Sequence, residues 1–177
     1  MKYKKLWTDM HSNIHHDQME ALPLWYEQIK KEMDFWPIAY YPFYMRPTSS
    51  GLAVEDRYED ELIEKDWEQV RQLALQAEKE GFPMFMGYEW QGAGLDGDHN
   101  VFFLENGEKQ EHPMRYQELV EAYKGKPVIG IPHHVAYQLG SRGKNWETHD
   151  EKFSPFAEIY SSHGCSENDE PPCPYGP

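Results

Sequence analysis

Histidines and carboxylates recur along this chain beside short β-rich runs. Asp9-Met10-His11 comes just after the apolar pair Leu6-Trp7, and the series continues through His15-His16, Glu89, His99, His133-His134, Glu158 and His163. Imidazole together with carboxylate suits Zn²⁺, Mn²⁺ or Fe²⁺, whereas Ca²⁺ prefers all-oxygen cages. The chemistry expected is that of a metal-dependent hydrolase, with His11, Glu89, His99, His133, Glu158 and His163 as candidate ligands. Asp9, two residues before His11, is placed to orient or share the metal. Glu89 closes an apolar run, where a carboxylate is costly unless paired or metal-bound. Successive side chains of a strand alternate in direction, so if strand geometry persists the pair His133-His134 is expected to offer His133 as ligand and His134 either as a group supporting the ligands or as a substrate contact. Arg142 and Lys144, in Gly140-Ser141-Arg142-Gly143-Lys144, are the best local cations for a phosphate, and the planar fork of arginine suits two-point contacts. His112 and His149 read as solvent-facing.

Strands and helices must bring these groups together. Strand-like runs are 6–10, 35–41, 84–88, 101–104, 128–131 and 156–160, with aromatic and β-branched residues frequent in most. Three helical patterns separate some of them. The first carries Leu22, Trp25, Ile29 and Met33, with Pro23 near its start. A second has Ile63, Trp67, Val70, Ala74 and Ala77 at alternating intervals of four and three, stopped by Gly81. The third runs from Pro113 to Gly125 with Tyr116, Leu119, Val120 and Tyr123 on one side. The stretch 46–58, with Pro47, Ser49, Ser50 and Gly51, reads as a long loop over one face. Strands separated by helices favour parallel pairing in an α/β fold. In a (β/α) barrel the working groups come from the C-terminal ends of different strands, which is where most of the candidate ligands fall in this reading.

Composition limits the alternatives. The 177 residues are 39% hydrophobic and 15% aromatic, enough for a sizeable core. A formal charge of −14, from 17 Lys and Arg against 31 Asp and Glu, argues against nucleic acid as a partner. Met1-Lys2-Tyr3-Lys4-Lys5 has the charge of a secretory leader, but Leu6-Trp7-Thr8-Asp9 stops any apolar core from following, and no apolar run approaches a membrane span. A cytoplasmic protein is the expectation, with Cys165 and Cys173 as free thiols.

Thr8-Asp9-Met10-His11-Ser12-Asn13 resembles the opening motif of the polymerase-and-histidinol-phosphatase (PHP) superfamily, Asp-Leu-His-x-His. Gly87-Tyr88-Glu89-Trp90, His99-Asn100-Val101-Phe102-Phe103, Ile131-Pro132-His133-His134 and the run 157–164 are similar to one branch, the PHP-like DUF3604 proteins, which lack an assigned activity as a group. The resemblance spans about residues 6–165 and rests on the order of short motifs. It implies a distorted (β/α)₇ barrel, a site for two or three divalent metal ions, and hydrolysis of a small anionic substrate such as a phosphate ester. The chain departs from the pattern in three places. Asn13 stands where the second histidine belongs, and Tyr40-Tyr41 stand where an Asp-His pair belongs. The closing Asp-x-His motif would lie beyond Pro177. His15 or His16 is placed to take the lost ligand's role. On this reading residues 1–165 are a partial PHP-like domain and 166–177 a Pro-rich tail, so the barrel is incomplete and its unpaired edge favours a homo-oligomer. Two other classes stay open: a binding or regulatory domain that has lost catalytic ligands, and a metal-dependent hydrolase of carbon–nitrogen bonds.

Overall fold

The computed structural model describes residues 3–92, 94–135, 137–140, 142–161 and 164–165. No helix among them is long and apolar enough to cross a membrane. The chain divides into two compact units, Met1–Tyr88 and Glu89–Pro177.

In the first unit β1 (Ser12–His15) leads through a 3-10 helix (His16–Ala21) into α1 (Leu22–Glu32), then β2 (Trp36–Tyr41), the strands β3 (Phe43–Pro47) and β4 (Ala53–Arg57), α2 (Asp60–Glu80) and the start of β5 (Met84–Trp90). β1 pairs parallel to β2, and β2 pairs parallel to β5, with Ala39 opposite both Asn13 and Gly87. The apolar stripe read from the sequence is the buried face of α2: Ile63, Trp67, Val70, Ala74 and Ala77 are all inside. Trp67 packs edge-on against Tyr88, and Tyr26 of α1 meets Phe82 in the same way. α2 stops where Gly81 takes a left-handed φ of 74° and its N–H returns to the carbonyls of Ala77 and Glu78.

Two expectations fail in this unit. The run 6–10 is not a strand. Leu6 and Trp7 are 56% and 70% exposed, and the segment is instead fixed by a pair of bonds in which Trp7 N–H donates to the Asp34 carboxylate and Trp7 C=O accepts from Asp34 N–H. β1 therefore begins after His11 rather than ending before it. The stretch 46–58 is no long loop either. It supplies most of an antiparallel hairpin, β3 against β4, joined by a turn in which Gly51 adopts φ 80°, and tied across by an Arg46–Asp56 ion pair.

The second unit contains β6 (His99–Phe103), α3 (Tyr116–Ala122), β7 (Val128–Pro132), a 3-10 turn (Trp146–Thr148) and the two-residue strands β8 (Tyr160–Ser161) and β9 (Gly164–Cys165). Val101, Phe103, Leu119, Tyr123, Val128 and Phe153 are buried. The strand expected at 156–160 shrinks to Tyr160 within β8. Pro155 has no N–H to give a ladder, and Phe156 and Ile159 are exposed.

Parallel pairing does not extend to β6 and β7, which run antiparallel with Phe103 opposite Val128 and His99 opposite Pro132. A parallel crossover needs a helix long enough to carry the chain back along the strand. α3 has 7 residues, hence about 10 Å of length, against about 17 Å for a five-residue strand. The chain instead turns back at the end where β6 leaves, with Leu104 N–H bonded to the Pro127 carbonyl. The strand order β1-β2-β5-β6-β7 is that of an open, mixed five-stranded sheet. The expected distorted (β/α)₇ barrel is thus overturned: among the described residues no barrel closes, and the helices number three.

Candidate metal centre

β5 ends in Glu89-Trp90, and alternation along the strand gives these neighbours opposite directions. Trp90 packs against His99. Glu89 Oε1 lies 3.5 Å from His133 Nε2, longer than a direct hydrogen bond and short enough for both atoms to serve one cation. The antiparallel register of β6 and β7 then brings in Asp98. With His99 opposite Pro132, the next pair outward is Asp98 and His133, and His133 N–H donates to the Asp98 carbonyl at 3.1 Å.

The conformation of His134 completes the arrangement. β7 ends at Pro132, and His134 is the one described non-glycine residue in the left-handed region, at φ 56°. Strand alternation therefore stops before the His-His pair. The two rings meet edge to face at 4.5 Å between centroids, and Asp98, His133 and His134 each offer a ligand atom within 4.8 Å of the others. All three are at least 96% buried, as is Glu89. The expectation that one histidine of the pair would face elsewhere is corrected. His134 joins His133 because backbone strain at a turn overrides the strand geometry on which the expectation rested.

Two loops hold these groups by backbone packing. A side chain at Gly97, which has φ 78°, would put its Cβ 2.8 Å from Lys144 Cα, and one at Gly143 would collide with the Tyr137 carbonyl. The close approach places Arg142 so that its Nη1 donates to Asp98 Oδ2 at 3.2 Å. Asp96, one turn earlier, is fully engaged. It accepts from Arg115 Nε at 2.8 Å, Tyr116 N–H at 3.0 Å and Asn145 Nδ2 at 3.2 Å. Burial opposes its ionisation, but these donors outweigh burial and hold the carboxyl below its ordinary range. Asp96 thus anchors the start of α3 and the 145 turn.

His99 is not part of the three-residue cluster. Its ring stacks on Tyr116 at 4.8 Å, and its Nδ1 lies 3.2 Å from the Gly97 carbonyl, so Nδ1 carries the proton. Burial first, and the charge of Lys144 second, push its pKa well below the usual histidine value. Lys144 is itself buried, with Nζ 3.3 Å from the centre of the Tyr116 ring, and burial lowers its pKa to about 8.

The other expected site residues are placed as follows. Glu158 is half-buried beside the end of β7, its N–H bonded to the Pro132 carbonyl, outside the cluster. Asp9 is exposed, and its Oδ1 accepts the His11 N–H at 2.8 Å. His11 precedes β1 in the first unit, and His15 closes that strand with its ring 4.7 Å from Tyr41. His163 and the tail 166–177 lie outside the described residues. Asp98 was absent from the expected ligands. Its signal was the spacing Asp98-His99 before a strand whose neighbour ends in His133-His134, legible only if antiparallel pairing is assumed.

Compared with known protein families, with curated proteins and with solved structures, the chain matches none.

Proposed function

We propose that the second unit is a metal-dependent hydrolase of anionic esters, with phosphate esters as the favoured class. The observation that carries this reading is the convergence of Asp98, His133 and His134, all buried, with ligand atoms within 4.8 Å. Two imidazoles and one carboxylate are a donor set suited to Zn²⁺, Mn²⁺ or Fe²⁺. A divalent cation held there would polarise an ester oxygen as a Lewis acid. The remaining roles belong to the chain. Glu89, with Oε1 3.5 Å from His133 Nε2, would add a second carboxylate beside the cluster. Arg142, bound to Asp98 and with 36% of its side chain exposed, sets positive charge beside the cluster where an anionic substrate would approach. The resemblance to PHP proteins supports phosphoester chemistry in particular.

The test is hydrolysis of aryl phosphates and aryl amides by Zn²⁺- or Mn²⁺-loaded protein, with and without chelator, beside His133→Ala. The reading expects phosphoester turnover that chelator abolishes and His133→Ala lowers at least 100-fold. Turnover of amides alone would move the activity to carbon–nitrogen bonds. No turnover of any substrate by metal-loaded protein would favour a binding domain.

A further inference from the structure

Asn100 is the second residue of β6 and is wholly buried, yet neither Oδ1 nor Nδ2 of its side chain has a hydrogen-bond partner among the described residues. Burying a carboxamide in this way is costly, because it gives up its bonds to water and gains none in return. An apolar residue of the same shape would fill the position without that cost. The position therefore calls for a partner from outside the chain.

The register shows which way the amide faces. Asn100 stands opposite Ile131, and two residues outward along each strand, on the same face, Asp98 stands opposite His133. His99, between Asp98 and Asn100, is directed to the other face, where its ring meets Trp90 and Tyr116. Glu89 is directed away from its neighbour Trp90 and so toward the side of Asn100. Asn100 is thus the inner neighbour of the cluster, about 7 Å along the strand from Asp98. Phe102 follows on that face and is buried, as is Ile131, so the polar groups of this face of β6 end at Asn100.

A carboxamide oxygen is a neutral donor that suits Mn²⁺, whereas Zn²⁺ is satisfied by four ligands in a tetrahedron. We propose that Asn100 Oδ1 is a further ligand of the divalent cation, adding an oxygen from the buried side and biasing the centre toward Mn²⁺ over Zn²⁺. This rests on the reading of Asp98, His133 and His134 as metal ligands. The test compares the full chain with Asn100→Leu and Asn100→Asp. Mn²⁺ binding is read from the electron paramagnetic resonance of the free ion, Zn²⁺ binding from competition with a chelating dye, and metal-free stability from urea unfolding. Asn100→Leu should weaken Mn²⁺ binding about tenfold or more and Zn²⁺ binding by less than about threefold. Its metal-free stability should equal or exceed the original, since an unpaired amide has been removed. Asn100→Asp, which keeps an oxygen donor, should hold Mn²⁺ at least as well as the original to within about threefold. Unchanged Mn²⁺ affinity in Asn100→Leu would remove Asn100 from the centre and leave the metal reading standing. A less stable Asn100→Leu that loses both ions equally would make Asn100 structural and also overturn the proposal. An original chain that binds neither ion would overturn the metal reading itself, and this inference with it.

Discussion

His134 pairs its proposed ligand role with an unfavourable backbone. Its φ of 56° costs an L-residue about 1–2 kcal/mol, and the return is a second imidazole beside His133. His134→Gly separates the two: removal of the strain should leave the metal-free protein within about 1 kcal/mol of its original stability or above it, while metal affinity falls at least tenfold. Chemical denaturation and equilibrium dialysis read the two effects. Arg142 is the second residue of consequence. If an anion binds beside Asp98, Arg142→Ala should remove a charge-assisted contact of about 1.5–3 kcal/mol, a loss of tenfold or more in phosphate affinity, with metal content unchanged. Isothermal titration with phosphate decides, and indifference to the substitution would confine Arg142 to supporting Asp98. Lys144 makes a pH prediction. Its pKa is about 8 when folded against an ordinary 10.5, so between those values the unfolded chain binds more protons and stability rises with pH. Urea unfolding at pH 8 and pH 10.5 should show that gain in the original protein and less of it in Lys144→Met. At this scale the sequence showed His133, His134, Glu89 and Arg142 as chemically marked. It could not show Asp98 as their companion, because that depends on the direction in which two strands pair.

Elements were legible where the pattern was long. Over 21 residues α2 has a continuous apolar stripe and a glycine stop, so local and tertiary preferences agree. The stop itself is testable. A Cβ at Gly81 meets nothing within 4 Å, so Gly81→Ala should cost only the left-handed penalty, about 1–2 kcal/mol, seen as a lower denaturation midpoint with an unchanged slope. A larger loss would mean that the glycine does more than end the helix. Short patterns misled. Leu6-Trp7 is apolar yet exposed, since an apolar pair with Lys4 and Asp9 close by can be held by the Asp34 bonds without entering a sheet. The segment 104–127 looked like a crossover because α3 is a real helix. What excluded a crossover was the length of α3, which its apolar spacing did not bound.

For the whole molecule, the charge of −14 coexists with cationic groups at the candidate centre, Arg142 beside Asp98 and Lys144 behind Tyr116. The net charge and these local cationic groups act on different length scales, the first on long-range attraction and the second on what approaches the cluster. The barrel expectation failed because strand ends rich in ligands do not require a closed sheet. One antiparallel pair, β6 with β7, suffices to set Asp98 beside His133. The central claim is that Asp98, His133 and His134 hold a divalent metal. The most direct measurement is Zn²⁺ affinity by competition with a chelating dye for the original chain, Asp98→Asn, His133→Ala and His134→Gly, with folding checked by circular dichroism. The account predicts one tight site that each substitution weakens by at least tenfold while the fold persists. Zn²⁺ binding of equal affinity in all four proteins would contradict it.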